Sequence, residues 1–444
     1  MNEKMILGIH DKPKIGKWIA LSFQHVFAMF GATILVPLLT GLPISVALFA
    51  SGCGTLIYIL CTNAKVPVYL GSSFAYITVV GAVSGYTETG TGNYASALTG
   101  LFVVGIIYVI ISLIIRFVGK EWIHKVLPPI IIGPMIMIIG LGLSNVAISN
   151  TGLSASNPGT WKDILTAVVS FLIVILVALK GRKFIKIIPF LIGIVGGYIF
   201  SAAIGNIDFT SLVSVLQNPQ EWFKIPEFMF LGWKNGNANV LGTEITFYQM
   251  NLTAVLTIAP LALVTAAEHI GDHAVLSKIV GKDFLKDPGL DKTLLGDGLA
   301  TAFAALIGGP ANTTYGENTS VVGMTKIASV WVIGGAAVVA IILSFVNVFT
   351  TLISTIPASV MGGISIILYG FIASNGLRIL IENKVNMANL RNLIIVAAML
   401  VIGLGGSLIV IGSFQVYGMS LAALVGIVLN FILPRNKKLE EEIK

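Results

Sequence analysis

The sequence predicts an all-α protein that crosses a membrane many times, and its composition and length are the observations behind this fold class. Hydrophobic residues occupy 56% of the 444 positions and charged residues only 11%, with a mean hydropathy of +0.93. A chain this apolar is not typical of a soluble globule, and it is too long for a single span. The net charge of +7 comes from basic residues in short loops between apolar runs, where orientation in the membrane explains them. We therefore expect a lipid bilayer, and no nucleic acid, as a partner.

Fourteen apolar segments follow one another along the chain, and each is a candidate transmembrane segment. The third and the tenth are the weakest, because Gly and polar residues interrupt them. The segments lie at 18–39, 44–61, 66–85, 96–118, 127–148, 164–180, 184–204, 251–272, 293–309, 311–327, 331–350, 354–374, 391–412 and 416–433.

The distribution of basic residues predicts the orientation. In an alternating arrangement with a cytoplasmic N-terminus, only Lys162, Lys224 and Lys234 of the 27 lysines and arginines fall on the outer side. The positive-inside rule expects such an asymmetry, and losing one span would destroy it. Both termini are therefore predicted to be cytoplasmic.

A long segment at 205–250 divides the chain into two sets of seven spans. It is predicted to be extracellular, and its Trp222 and Trp233 are expected to rest on the membrane interface rather than to bind substrate. With an odd number of spans in each half, related halves would lie upside down to one another in the membrane. The sequence therefore predicts two inverted seven-span repeats.

Spans 3 and 10 support this symmetry. Each contains a Pro, a short stretch of β-capable residues and then small polar residues, at Pro67–Phe74 and Pro310–Glu317. We expect a short strand in each segment, leading into a half-helix. The N-termini of the two half-helices, with their unpaired N–H groups, are expected to meet near the membrane centre. The alternative is that Gly and Pro serve only close helix packing.

The stretch Gly309–Ser320 carries Glu317 between apolar segments. A carboxylate at that depth costs several kcal/mol unless it is partnered, so it is a candidate for a functional site. Pro310 and Gly316 argue against an unbroken helix, and irregular backbone inside a membrane persists only when buried in protein or lining a watery cavity. The stretch is therefore predicted to line a site.

Glu268 and Asp272 lie four residues apart in span 8, so they share one helix face. Glu268 is the deeper of the two and is predicted to face Glu317. Asp272 lies nearer the predicted cytoplasmic end of the span. A position at a solvated helix end is therefore an alternative of equal weight to a role in the site. Intramembrane acids often form proton relays, so Glu268, Glu317 and Asp272 are candidates for proton coupling.

Carboxylates accept hydrogen bonds, whereas the N–H groups at half-helix starts donate them, so a planar solute with alternating N–H and C=O groups matches this lining. Phe74 and Tyr315 are candidates to contact the faces of such a solute, although either ring alone is more often packing. His25 in span 1 is a candidate proton relay, with an interhelical hydrogen bond as the alternative. Asp297 in span 9 is expected to cap or bridge helices.

The sequence contains no Walker motif, no His/Cys cluster with metal spacing and no Ser/His/Asp arrangement. We therefore expect no cofactor and no metal ion. The same absences argue against an ATP-driven pump and against a membrane enzyme.

These residues resemble the nucleobase-ascorbate transporters (nucleobase-cation symporter 2), and within that family the uracil permeases. The resemblance covers nearly the whole chain. It rests on the stretches Ser22–Ala32, Leu70–Tyr76, Ala267–Gly271, Asn312–Asn318, Met361–Gly363 and Leu368–Gly370.

The resemblance implies fourteen spans in two inverted repeats, with a core domain from spans 1–4 and 8–11 and a gate domain from spans 5–7 and 12–14. On this basis 18–148 contains spans 1–5, of which span 5 belongs to the gate, and 164–204 contains spans 6–7 of the gate. Residues 251–350 contain spans 8–11 of the core, and 354–433 contain spans 12–14 of the gate. The resemblance also implies a bacterial cytoplasmic membrane and a homodimer through the gate domains.

The family also implies roles for single residues. Glu268 and Glu317 would hold a pyrimidine, and Phe74 and Gly316 would offer backbone groups. The residues that would line the pocket are Ser73, Tyr315 and Tyr369. The implied activity is import of uracil together with protons, with xanthine or another purine as the alternative substrate.

Two positions depart from the pattern of uracil permeases. Asp272 stands where uracil permeases can carry His and the purine-transporting branch commonly carries Asp, which weakens the assignment of substrate. Ser320 replaces the usual Gly of the family signature, and this puts in doubt how closely the half-helix approaches a neighbour. Against the first departure, Glu317-Asn318 opens the signature as in uracil permeases, where xanthine carriers typically have Gln-Asn.

Overall fold

The computed structural model describes residues 5–85, 94–182, 185–186, 188–229, 236–240, 243–247, 251–411 and 414–434. Within these ranges the chain is mostly helical, as predicted. Trp233, Lys234 and the basic residues after 434 lie outside the described residues, so the predictions that involve them stay predictions.

The elements of the first half begin with two long helices and a short strand. In order they are α1 (Ile15–Thr40), α2 (Ile44–Cys61), β1 (Leu70–Ser72), a 3-10 turn (Phe74–Tyr76), α3 (Ile77–Ser84), α4 (Ala95–Val118), α5 (Glu121–Val126), α6 (Pro129–Gly142), α7 (Ser144–Thr151), α8 (Trp161–Lys180), α9 (Pro189–Ala203), α10 (Thr210–Gln217) and a 3-10 turn (Pro219–Glu221).

The second half begins with a hairpin and repeats the pattern of a strand followed by a helix. Its elements are β2 (Gly236–Val240), β3 (Thr243–Phe247), α11 (Leu252–Ile258), α12 (Leu261–Val280), an irregular turn (Leu285–Gly289), α13 (Leu290–Leu306), β4 (Asn312–Thr314), α14 (Gly316–Thr325), α15 (Val330–Ser344), α16 (Asn347–Ser354), α17 (Ala358–Glu382), α18 (Leu390–Leu404), β5 (Leu408–Ile411), β6 (Phe414–Tyr417) and α19 (Gly418–Ile432).

Among the described residues, seven helical segments are long and apolar enough to cross a membrane. Shorter apolar helices accompany them at Phe74–Ser84, Pro189–Ala203, Val330–Ser344, Leu390–Leu404 and Gly418–Ile432. These helices support an integral membrane protein, as the composition predicted. The count of fourteen spans and the inverted repeats stay predictions.

The two interrupted segments contain the short strands that the sequence predicted. β1 and β4 pair antiparallel, with Leu70 opposite Thr314 and Ser72 opposite Asn312. The outer edge of β1 faces α2, where the Thr55 hydroxyl accepts a bond from the Leu70 amide at 2.9 Å. Ser51 donates its hydroxyl to the Leu70 carbonyl at 2.8 Å. Side-chain hydroxyls therefore satisfy backbone groups that have no water to bind inside a membrane.

Two predicted boundaries are wrong. Span 8 was predicted to end at 272, but α12 continues for two more turns to Val280 and ends at Gly281, whose φ of 76° is left-handed. Asp272 therefore does not lie at a solvated helix end. Span 13 was predicted to reach 412, but α18 ends at Leu404 and a short hairpin, β5 with β6, leads to α19. The polar residues Glu268 to His273 interrupt the apolar run of span 8 inside a segment that is still helical.

The described part of the 205–250 loop lies across the ends of other helices. The Lys224 amide donates to the Phe345 carbonyl at 3.0 Å, and the Met229 amide donates to the Ile307 carbonyl at 3.0 Å. Trp222 remains 41% exposed and Phe223 70% exposed. The predicted contact of Trp222 with the membrane interface stays a prediction.

Glycines allow α4 and α13 to pack closely. A Cβ atom on Gly105 would lie 2.5 Å from the Ala302 amide nitrogen and 2.7 Å from the Gly298 carbonyl oxygen, distances that real atoms do not adopt. Close backbone approach at small residues is the usual way in which membrane helices associate.

We predict that Gly105→Ala destabilises the protein by about 1–3 kcal/mol, because α4 and α13 must separate to admit the methyl group. The measurement is thermal unfolding of the detergent-purified protein. Gly334→Ala in α15 is the matched control, since its methyl group would have its nearest neighbour at 3.8 Å. Equal melting temperatures for the two variants would contradict the prediction.

Candidate functional site

The strand pair brings the starts of two helical segments together. The Ser73 amide donates to the Ala311 carbonyl at 2.8 Å, and the Tyr315 amide donates to the Tyr69 carbonyl at 3.1 Å, so pairing continues to the last residue before each helical turn. Because the strands are antiparallel, the helical segments leave the pair in opposite directions. Their first N–H groups have no partner within the helix and are free to meet a ligand between them.

Three carboxylates share the neighbourhood of these helix starts. Glu268 and Asp272 lie one turn apart in α12, and both are half-buried. Glu317 is half-buried in the first turn of α14, where the helix dipole favours a negative charge. Glu268 lies close enough to Asp272 and Glu317 for their charges to interact. The structure therefore brings together the acids that the sequence singled out.

Asp272 is held by the strand pair. The Thr314 hydroxyl donates to Asp272 Oδ2 at 2.6 Å, which joins the end of β4 to the middle of α12. A hydrogen bond to a carboxylate is short and strong relative to a neutral one. This contact fixes one oxygen of Asp272 beside the site.

Open space lies next to Gly316 at the start of α14. A Cβ atom on Gly316 would meet nothing within 4 Å, whereas a Cβ atom on Gly71 in β1 would lie 2.4 Å from the Tyr315 ring. The half-buried Glu317 follows directly. A small ligand that reaches this space would contact the backbone of Gly316.

Aromatic and hydroxyl groups border the start of the other helical segment. Phe74 is buried and packs edge-on against Tyr369 of α17, with ring centroids 6.0 Å apart and an angle of 76°. Ser73 is also buried, and its hydroxyl has no hydrogen-bond partner among the described residues. The predicted lining residues Ser73, Phe74 and Tyr369 therefore cluster together.

Tyr315 contacts the scaffold. Its ring packs on Gly71, and its hydroxyl donates to the Ser72 carbonyl at 3.0 Å and accepts from the Thr33 hydroxyl at 3.2 Å. These contacts hold the strand pair to α1. A role for Tyr315 in lining the pocket stays a prediction. Such a role would use ring atoms outside these contacts.

His25 takes part in a hydrogen bond between helices. The Asn318 side-chain amide in α14 donates to the His25 carbonyl at 3.1 Å and to His25 Nδ1 at 3.1 Å. Because an amide nitrogen only donates, His25 Nδ1 accepts and the ring hydrogen lies on Nε2. The interhelical alternative is therefore present, and the role in proton relay stays a prediction.

A buried polar cluster that was not predicted lies on the adjacent face of α12, about 100° around the helix axis from the acids. His269 and His273 are fully buried there, and His269 Nδ1 lies 2.9 Å from Asp297 Oδ2. Asp297 thus bridges helices, as one of its two predicted roles required. Two histidines four residues apart beside two acids four residues apart were the signal in the sequence. In the part of the chain that the structure describes, no three His, Cys, Asp or Glu side chains form a group that would hold a metal ion.

Known structures share the fold. The transmembrane domain of a cyanobacterial bicarbonate transporter, BicA, superposes with a TM-score of 0.59 at 14% identity, covering 97% of this chain and all of that chain. The murine solute carrier 26 family member A9, an anion transporter in an inward-facing state, superposes with a TM-score of 0.66 at 13% identity, covering 95% of this chain and 68% of that chain. These similarities show that the fold is shared.

Sequence comparison gives closer relatives. Residues 16–412 match the model of a family described as a permease family. The uracil permease of Bacillus subtilis (strain 168) is 45% identical over 442 residues, covering 98% of this chain and 97% of that protein. The uracil permease of Escherichia coli (strain K12) is 38% identical over 430 residues, covering 96% of this chain and 93% of that protein. The chain therefore belongs to the nucleobase-ascorbate transporter family of permeases.

Proposed function

We propose that this protein is a symporter that imports uracil together with protons across the cytoplasmic membrane. The observation that carries the proposal is the meeting of Glu268, Glu317 and the start of α14 beside the open space at Gly316. The relatives named uracil permeases, at 38–45% identity over nearly the whole chain, support uracil as the substrate.

Uracil is a planar ring with two N–H groups and two carbonyl oxygens. The carboxylates of Glu268 and Glu317 accept hydrogen bonds from the ring N–H groups, and the backbone N–H groups of Phe74 and Gly316 donate to the carbonyl oxygens. The Phe74 ring covers an apolar face of the solute. Ser73, Tyr315 and Tyr369 complete the lining in this proposal.

Proton coupling follows from the cost of moving charge through a membrane. A carboxylate that takes up a proton becomes neutral and no longer opposes movement of the site away from water. Glu268 and Glu317 contact the substrate in this proposal, so their protonation is linked to its binding. Asp272, beside Glu268, and His25, bonded to Asn318 in α14, are the further members of the relay.

Alternating access arises from movement of a core domain, spans 1–4 and 8–11, against a gate domain, spans 5–7 and 12–14. The site lies mainly on the core, and Tyr369 of α17 approaches it from the gate. Both termini are cytoplasmic in this arrangement, and two copies associate through their gate domains.

The substrate and the coupling are tested by uptake of radiolabelled uracil into cells that lack their own uracil carrier. We expect concentrative uptake that unlabelled uracil competes away, that xanthine does not, and that an uncoupler abolishes. Uptake that survives collapse of the proton gradient would contradict proton coupling. Competition by xanthine alone would contradict the substrate.

We predict that Glu268→Gln abolishes uptake, because an amide replaces one hydrogen-bond acceptor by a donor and removes the charge that the proton neutralises. The measurement is uracil uptake normalised to the amount of protein in the membrane. The matched control is Glu227→Gln, an exposed acid that pairs with Lys224 at 2.7 Å outside the site. Normal uptake by a Glu268→Gln variant that reaches the membrane would remove Glu268 from the site.

The proposed movement of core against gate also assigns a role to an ion pair. Lys278 near the end of α12 lies 3.0 Å from Glu382 at the end of α17, so the pair joins core to gate, while Arg378 holds Glu382 from within α17 at 2.6 Å. Lys278→Glu replaces attraction by repulsion and is expected to change the maximal uptake rate by about two- to fivefold, since exposed pairs are weak. Uptake kinetics provide the measurement.

The control for this ion pair is Lys65→Glu. Lys65 pairs with Asp287 at 2.6 Å, and both residues belong to the core, so reversing this charge leaves the contact between domains unchanged. If the two reversals have the same effect on the uptake rate, the pair between Lys278 and Glu382 does not bias the movement.

A further inference from the structure

The face of α12 next to the one that carries the acids, about 100° around the helix axis, carries two stacked imidazoles. The rings of His269 and His273 lie 4.0 Å apart at an angle of 28°, and both side chains are fully buried. His273 Nδ1 lies 2.8 Å from the His269 carbonyl oxygen, and its Nε2 is hydrogen-bonded to the Tyr58 hydroxyl of α2. His269 Nδ1 contacts Asp297 of α13. Two core helices therefore hold α12 through specific atoms.

The direction of the bond between Tyr58 and His273 follows from its neighbours. A carbonyl oxygen only accepts, so His273 Nδ1 carries the hydrogen that it donates to the His269 carbonyl. The neutral ring then has a lone pair on Nε2, and the Tyr58 hydroxyl must donate to it. An acceptor left without this donor in a dry interior destabilises the folded protein.

Tyr58 is itself fixed in place. It is fully buried, and it lies so close to α13 that a Cβ atom on Gly296 would approach its ring to 2.9 Å. The absence of a side chain on Gly296 gives the ring its position between α2 and α13. Tyr58 is therefore a rigid donor, because its ring has little room to follow a displaced His273.

Two contacts on adjacent faces of α12 resist rotation of this helix about its axis. Thr314 holds Asp272 at 2.6 Å on one face, and Tyr58 holds His273, the next residue in the chain, on the adjacent face. Successive helix residues point about 100° apart, so a rotation that releases one contact strains the other. The direction in which Glu268 points depends on both.

We propose that Tyr58 is a positioning residue for transport: through His273 it fixes the rotation of α12 and so directs Glu268 and Asp272 toward Glu317. The proposal rests on the proposed function for the role of the acids. Tyr58 touches neither the open space at Gly316 nor the acids, so it acts only through His273.

The test compares Tyr58→Phe with Tyr58→Phe/His273→Leu. The first variant leaves His273 Nε2 without a donor, and the second replaces both polar partners by apolar groups, which restores much of the stability. We expect Tyr58→Phe to lower the melting temperature and to raise the KM for uracil about three- to tenfold. We expect the double variant to recover the melting temperature and to keep the raised KM.

The matched control is Tyr198→Phe in α9, which loses a tyrosine hydroxyl bonded to Thr355 at 2.7 Å far along the chain from α12. Its KM is expected to equal that of the unaltered protein. Recovery of both melting temperature and KM in the double variant, or an unchanged KM in Tyr58→Phe, would overturn the positioning role and leave only a structural one.

A measurement without substrate separates this proposal from the proposed function. In a Cys53→Ser/Cys61→Ser background, Glu268→Cys reports the direction of this side of α12 through its rate of modification by a water-soluble maleimide. We expect adding Tyr58→Phe to change that rate at least about threefold. An unchanged rate would contradict the inference even if uracil uptake is confirmed, whereas failure of the unaltered protein to transport uracil would contradict only the proposed function.

Discussion

The pairing of β1 with β4 is the interaction on which the site depends. Extended backbone inside a membrane has no water to satisfy its polar groups, so it persists only where protein supplies every partner. Here each strand satisfies one edge of the other, while Ser51 and Thr55 of α2 satisfy the outer edge of β1. Because these partners are fixed, the helical segments that follow begin at fixed points beside each other. The N–H groups at those helix starts can then donate hydrogen bonds to a ligand, because the strand pairing does not use them.

The acids are placed by the same strand pair. Glu317 lies three residues after the end of β4, and Thr314, the last residue of β4, holds Asp272 of α12. On the adjacent face α12 is held by Tyr58 and Asp297, so its acids cannot turn independently of the strands. The acids are therefore held, directly or through α12, by one small piece of β-structure.

The sequence predicted the features that depend on local composition. Pro and Gly in spans 3 and 10 indicated the strands, and the spacing of Glu268 and Asp272 indicated a shared helix face. The end of α12 was missed because Glu268, His269, Asp272 and His273 interrupt the apolar run, although the helix continues through them. The bond between Tyr58 and His273 joins residues 215 positions apart, and no local pattern marks it. The contacts of Tyr315 with Gly71 and Thr33 have the same origin in the tertiary fold.

The helix starts of this fold bear on which solute the proposed site admits. Two structural neighbours are named as transporters of bicarbonate and of anions, and a helix N-terminus is a favourable place for an anion. In this chain Glu317 already occupies the first turn of α14 with its own carboxylate. An anionic solute at Gly316 would meet Glu317 and Glu268 as like charges, whereas a neutral solute with N–H groups would meet them as acceptors. In the proposed site the two acids therefore disfavour an anionic solute and favour a neutral hydrogen-bond donor.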